Sequence, residues 1–256
     1  MNAIVLSIFA GVVGTGLGGV ITAFFGSRTD KMISIFLSFA GGVMTSIVFF
    51  QLIPEAVENS DMNITIIGFI IGIIMVSAFN LIFDKISNAK SKLHESYAEF
   101  YHESDLISKQ KTMIRSGILM FLVIALHDIP EGLVIGTAGI HDPDFGFRLA
   151  IMIGIHNVPE GMAISAPLIS GGINKFKVIG LTFLEGIPTV VGTIVGLLLG
   201  GLSDTAVALS FSIAGGAMLY VVFGEILPQT MVLNKNRTPT IVLLIGIIVG
   251  LLLTKI

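Results

Sequence analysis

Two similar hexapeptides, each holding a histidine and a glutamate, lie twenty-nine residues apart in apolar parts of the chain. They read His127-Asp128-Ile129-Pro130-Glu131-Gly132 and His156-Asn157-Val158-Pro159-Glu160-Gly161. In each motif the histidine and the glutamate stand four positions apart, so one face of a helix presents an imidazole and a carboxylate together. Charged residues at membrane depth cost roughly 2.5–3.5 kcal/mol each and usually mark an ion or substrate path. The repeated pattern therefore predicts a metal site between two helices.

The residue types in the motifs indicate which metals the site would bind. Histidine is a borderline ligand and glutamate a hard one, a combination that suits Zn²⁺, Fe²⁺ and Mn²⁺. The proline of each motif removes a helical hydrogen bond and frees a carbonyl oxygen one turn earlier, which is tolerable where a cavity or a cation receives it. Two helices crossing at the motifs would offer a set of four ligands: His127, Glu131, His156 and Glu160.

A second, oxygen-rich metal position is predicted beside the first. Asp128 and Asn157 follow their histidines and project about 100° around the helix from them, so they flank the first site. Glu185, in a later apolar segment, is another carboxylate at membrane depth that needs a partner. These three residues, with Glu131 or Glu160 as a bridge, could hold a second ion.

The composition is that of a membrane protein. The chain is 54% hydrophobic and 12% charged, with a mean hydropathy of +0.95, far from an ordinary soluble domain. Thirty glycines are spread through the apolar segments, as in closely packed membrane helices. The absence of cysteine excludes disulfides, iron–sulfur clusters and thiolate metal sites. We expect an all-α, polytopic integral membrane protein.

The apolar segments predict eight transmembrane helices in a single transport domain covering residues 1–256. At about 20 residues per span, they lie near 2–25, 32–54, 62–84, 113–138, 147–169, 174–199, 204–228 and 238–255. A polar segment at 85–112 is predicted to be a cytoplasmic loop between the third and fourth spans.

Lysine and arginine predict the orientation in the membrane. If the spans alternate, twelve basic residues lie on one side and only Arg148 and Lys255 on the other. Because the basic side faces the cytoplasm, both termini are expected to be extracytoplasmic. Short loops without a histidine-rich cytoplasmic segment suggest a prokaryotic plasma membrane.

The second and seventh spans carry related sequences at their ends. The second ends Gln51-Leu52-Ile53-Pro54-Glu55 and the seventh Glu225-Ile226-Leu227-Pro228-Gln229. In an alternating bundle these spans run in opposite directions. The similarity therefore indicates an inverted repeat of spans 1–3 and 6–8 around a central pair, a 3+2+3 arrangement, although two unrelated proline-terminated helices would look similar.

Over essentially its whole length the chain resembles the ZIP family of divalent metal transporters, specifically its bacterial-type and GufA-like members. The resemblance rests on the two hexapeptides, on Glu185-Gly186, and on the segments Ala40–Met44 and Ala214–Met218 that precede the two proline motifs. It implies eight helices in a 3+2+3 arrangement, a binuclear site between spans four and five, and metal movement toward the cytoplasm. Family members often carry His-Asn in span four, whereas this chain has His127-Asp128, with Asn157 in span five.

The function predicted is transport of Zn²⁺, with Fe²⁺, Mn²⁺ and Cd²⁺ as further ions, into the cytoplasm. The metal is the transported substrate, and no prosthetic cofactor, enzyme activity or nucleic-acid partner is expected. The partners are the metal ions and the lipid bilayer, and a homodimer stays open. The alternatives are an intramembrane metal-dependent hydrolase and a metal-selective channel. The hydrolase is disfavoured because the sequence has no HExxH pair and no serine elbow.

Overall fold

Eight helices follow one another along the chain in the computed structural model, which describes residues 2–26, 29–86, 106–141, 143–198 and 203–254. Every regular element in these ranges is helical. The helices are α1 Ala3–Phe25, α2 Asp30–Asn59, α3 Met62–Ile86, α4 Leu106–His141, α5 Pro143–Ser170, α6 Lys175–Leu198, α7 Asp204–Leu233 and α8 Thr238–Leu253. Seven of them are long and apolar enough to cross a membrane, and α8 is a shorter apolar helix. The prediction of an all-helical, polytopic membrane protein is confirmed.

Helices α2 and α7 both continue past the prolines at which their spans were predicted to end. The expected ends near 54 and 228 are therefore wrong, since the helices run on to Asn59 and Leu233. In each helix a π-helical turn, Val48–Leu52 or Val222–Ile226, comes shortly before the proline. The proline then occupies the first turn of the next α-helical segment, where its missing N–H costs little.

The polar segment at 85–112 is partly helical. Helix α3 extends to Ile86 and α4 begins at Leu106, so the boundaries predicted for this loop were set too wide at both ends. The central part, 87–105, lies outside the described residues. Hydropathy marks where apolar sequence stops, but a helix can extend into water beyond that point, which explains the difference.

The helix pairs are arranged as an inverted repeat would require. Helix α1 packs on α5 and α6 packs on α4, while α2 packs on α8 and α3 on α7. Helices α4 and α5 contact each other, and each also contacts the outer pairs mainly through one helix, α7 for α4 and α2 for α5. Exchanging α1–α3 for α6–α8, and α4 for α5, reproduces the same set of contacts.

Glycines set the distance between the motif helices and their neighbours. A Cβ added to Gly132 in α4 would overlap the main-chain oxygen of Thr189 in α6. A Cβ added to Gly161 in α5 would overlap the main-chain oxygen of Thr15 in α1. The last residue of each hexapeptide is thus a glycine because backbone lies directly against it, and α1 and α6 are held close to the motifs.

Candidate metal centre

The two hexapeptides lie side by side in the interior of the bundle. Helices α4 and α5 run unbroken through Pro130 and Pro159, so each motif stays on one continuous helix. The six polar side chains of the motifs are each at most 1% exposed: His127, Asp128, Glu131, His156, Asn157 and Glu160. The predicted residues are therefore brought together, shielded from solvent.

Each histidine pairs with the glutamate of the other helix. His127 Nε2 lies 3.1 Å from Glu160 Oε1, and His156 Nε2 lies 3.2 Å from Glu131 Oε2. The sequence spacing placed an imidazole and a carboxylate on one face of each helix. The structure adds that each face pairs with the other helix, so that two histidine–glutamate pairs lie between α4 and α5.

Asp128 lies next to this cross-paired group. Its Oδ1 is 3.6 Å from His127 Nε2, and one ligand atom each from His127, Asp128 and Glu160 lie within 4.8 Å of one another. Its Oδ2 accepts a hydrogen bond from the Thr189 hydroxyl of α6 at 3.0 Å. Asp128 thus lies between the His127–Glu160 pair and Thr189 of α6.

Asn157 is held by α1 through a main-chain atom. Its Nδ2 donates to the Ala10 carbonyl oxygen at 3.0 Å, and Ala10 belongs to a π-helical turn, Ile8–Val13. Such turns are rare and are often found at functional sites. The Oδ1 of Asn157 is buried without a hydrogen-bond partner, so this oxygen is free to bind an ion.

Glu185 reaches the same region from α6. It ends the first half of that helix, directly before the break at Gly186, and its side chain is fully buried. Neither carboxylate oxygen has a hydrogen-bond partner of normal geometry, although the Thr15 hydroxyl lies close by. Its carboxyl group lies in the neighbourhood of those of Asp128 and Glu160.

The centre holds many buried polar atoms that no protein group satisfies. Atoms of this kind are rare inside proteins, because each costs about 1–3 kcal/mol when it is left without a partner. Those in the seven predicted site residues are Nδ1 of His127 and His156, Oδ1 of Asp128 and Asn157, Oε1 of Glu131, Oε2 of Glu160, and both carboxylate oxygens of Glu185. Their chemistry, carboxylate and amide oxygen with imidazole nitrogen, is that of divalent metal ligands.

Two residues that hydrogen-bond to the predicted site residues, Thr189 and Ala10, were not anticipated from the sequence. Thr189 stands four residues after Glu185, so helical periodicity could have placed both on one face of α6. Ala10 contributes only its carbonyl oxygen, and nothing in the identity of an alanine signals such a role.

The chain was compared with known proteins. A family model described as ZIP Zinc transporter matches residues 83–256. The chain belongs to the ZIP family. Its similar relatives include proteins named zinc transporter ZupT. That of Lysinibacillus sphaericus is 33% identical, with 87% of this chain and 85% of the relative aligned. That of Chlorobaculum parvum is 30% identical over 87% and 85%, and that of Streptococcus mutans 29% identical over 100% and 96%.

Membership of the ZIP family confirms the resemblance drawn from the motifs. The chain is an integral membrane transporter for divalent metal and not an enzyme. The intramembrane hydrolase that stood as an alternative is therefore set aside.

Proposed function

We propose that this ZIP protein carries Zn²⁺, and with it Fe²⁺, Mn²⁺ and Cd²⁺, across a bacterial plasma membrane into the cytoplasm. Both termini would be extracytoplasmic, as the distribution of lysine and arginine suggests. The observation that carries the proposal is the group of buried ligand atoms without partners between α4, α5 and α6. Relatives named as zinc transporters make zinc the first candidate ion.

The first ion would bind among the two cross-paired histidines and glutamates. Nε2 of His127 and Oε1 of Glu160 already lie 3.1 Å apart, and Nε2 of His156 and Oε2 of Glu131 lie 3.2 Å apart. A zinc ion binds nitrogen and oxygen ligands at about 2.0–2.2 Å. It could therefore replace the hydrogen bond within a pair with only small movements of the two side chains.

The second ion would occupy the oxygen-rich side, with Asp128, Asn157 and Glu185 as ligands and Glu131 or Glu160 as the bridge. Asp128 is near both positions, since its Oδ1 lies 3.6 Å from His127 Nε2. Two neighbouring positions let one ion repel the other, which keeps binding weak enough for release. Both histidines must be neutral and the carboxylates deprotonated to bind metal, so uptake competes with protons.

Transport would need the metal-binding helices to move relative to the rest of the bundle. The ligands lie on α4, α5 and α6, with α1 packed against them, whereas α2, α3, α7 and α8 pair mainly among themselves. Alternating access is commonly produced when one helix group moves against another around a fixed site. The second group would serve as the scaffold, contacted by the first through α2–α5 and α4–α7.

Metal uptake into proteoliposomes tests the proposal. Reconstituted wild-type protein is expected to take up Zn²⁺ with saturation, and Fe²⁺, Mn²⁺ and Cd²⁺ would be measured in parallel. The double variant His127→Ala/His156→Ala should lose uptake, while Glu58→Gln, at an exposed position near the end of α2, should keep it. Folded wild-type protein that produces no metal-dependent flux would overturn the proposal. A turnover far above that of a carrier would replace the carrier by a channel. Native mass spectrometry of the same sample would show whether the protein is a homodimer.

A further inference from the structure

Asp128 and Asn157 occupy corresponding places in the inverted repeat but face opposite hydrogen-bonding groups. On α4, Asp128 Oδ2 accepts from the Thr189 hydroxyl of α6 at 3.0 Å. On α5, Asn157 Nδ2 donates to the Ala10 carbonyl of α1 at 3.0 Å. Since α4 packs on α6 as α5 packs on α1, the two helices meet equivalent neighbours whose polar atoms differ in kind.

We propose that the Ala10 carbonyl and the Thr189 hydroxyl act as positioning groups that assign the amide to position 157 and the carboxylate to position 128. This inference rests on the proposed function, because it concerns how the second metal position is built. The second metal position would then require the carboxylate at position 128 and the amide at position 157. The same two side chains in exchanged positions would not form it.

At the contact with α1, the only side-chain atom that can form a hydrogen bond is a donor, because the group on α1 is the Ala10 carbonyl oxygen. A carbonyl oxygen cannot donate, so the side-chain atom that faces Ala10 must be the amide nitrogen of Asn157. That contact turns Oδ1 away from α1, and Oδ1 is the atom left buried without a partner. An ionised carboxylate at position 157 has no hydrogen to donate, so an oxygen would face an oxygen and the side chain would have to rotate.

Helix α1 lies close against Asn157. A Cβ added to Gly14 would lie 3.0 Å from the Cβ of Asn157 and would overlap the main-chain oxygen of Gly154. Gly14 follows the π-helical turn that contains Ala10. The backbone of α1 therefore lies against Asn157, and the Ala10 carbonyl is the polar group that its side chain meets there.

The α6 side is less restrictive. A hydroxyl donates one hydrogen, and either a carboxylate or an amide oxygen can accept it. An asparagine at position 128 could instead donate its Nδ2 to the Thr189 hydroxyl, which also accepts, so it would keep an oxygen for the ion and lose the negative charge. The structure therefore predicts different outcomes for Asp128→Asn and Asn157→Asp, although each changes a single group in the same small site.

Exchanging the two side chains tests the inference. The double variant Asp128→Asn/Asn157→Asp has the same ligand types and the same net charge as the wild type, so only the placement differs. Zinc stoichiometry and affinity would be measured on purified protein by calorimetry, and KM and kcat would be measured in proteoliposomes. We expect the exchanged variant to lose the weaker of two bound zinc ions and its KM to rise by more than tenfold. Asp128→Asn should raise KM less than Asn157→Asp does.

Wild-type zinc stoichiometry and KM in the exchanged variant would overturn the inference. They would show that the types of ligand are enough to form the site, whichever position each one occupies. A higher affinity for zinc in Asn157→Asp would also overturn the inference. An added carboxylate would raise the affinity if the Ala10 contact did not matter. Wild-type protein that neither binds nor transports zinc would instead reject the proposed function, so the two failures are distinguishable.

Thr189 provides a second test if the exchanged variant does not fold. Thr189→Val removes the hydroxyl at nearly constant volume, and Thr189→Ser retains it. We expect the valine variant to raise KM for zinc about fivefold or more with kcat little changed, and the serine variant to recover most of the lost affinity. Equal KM values for valine and serine would contradict a positioning role for the hydroxyl.

Discussion

Helices α4 and α5 have the same packing environment and different polar environments. Each carries a histidine and a glutamate one turn apart, pairs them with those of the other helix, and rests through a glycine on the backbone of a neighbour, α6 or α1. However, α6 adds the carboxylate Glu185 and the hydroxyl of Thr189, whereas α1 has no acidic residue and presents the Ala10 carbonyl.

We propose that this difference separates two tasks within one site. In the proposed site, the cross-paired histidines and glutamates would hold one ion between the two helices. In the same proposal the groups that differ are Asp128 with Glu185 on one side and Asn157 on the other, and they would place most of the oxygen ligands toward α6. A symmetrical backbone can thus carry a site with a preferred side, and the polar neighbours of the ligands determine that side.

The largest effect should come from breaking the symmetrical part of the site. Glu131→Gln and Glu160→Gln each remove a carboxylate from one cross pair while keeping its shape, and we expect each to reduce zinc uptake about a hundredfold or more. Initial rates in proteoliposomes over a range of zinc concentrations would measure this, with the exposed Glu58→Gln as the control. A large loss in one variant and none in the other would show that the two pairs are not equivalent.

The packing of the motif helices should respond equally on both sides. Gly132→Ala and Gly161→Ala each place a methyl group against a main-chain oxygen, of Thr189 and Thr15 respectively. Overpacking of this kind costs about 1–3 kcal/mol, so both variants should unfold at a lower temperature in detergent. Gly180→Ala is the matched control, because no atom lies within 4 Å of the added Cβ. Unchanged thermal stability in Gly132→Ala or Gly161→Ala would contradict the close approach of α6 or α1.

The smallest effect should come from the carboxylate that has no counterpart on α1. Glu185→Gln removes one charge from the α6 side and leaves the cross pairs intact, so we expect KM for zinc to rise several-fold with kcat nearly unchanged. Uptake kinetics at fixed pH would measure both constants. A loss as large as that of Glu131→Gln would instead place Glu185 among the ligands of the first ion.

Much of this arrangement could be predicted from the sequence. The helices follow a periodic pattern, and ionisable residues are energetically costly in apolar sequence, so they are rare there and easy to recognise. Apolar length indicated the helices, and repeated ionisable residues in apolar sequence located the buried centre at His127 and His156. The ends of α2 and α7 could not be predicted, since a proline normally stops a helix and the π-helical turns before Pro54 and Pro228 have no sequence signature. The cross pairing and the Ala10 contact depend on which helices become neighbours, and spacing along one helix does not contain that information.

The most direct test of the central claim is to locate zinc in the protein by anomalous diffraction at the zinc absorption edge. We predict one strong peak among His127, Glu131, His156 and Glu160, and a weaker peak beside Asp128, Asn157 and Glu185. Zinc bound elsewhere, with these seven side chains free of metal at saturating zinc, would contradict the account.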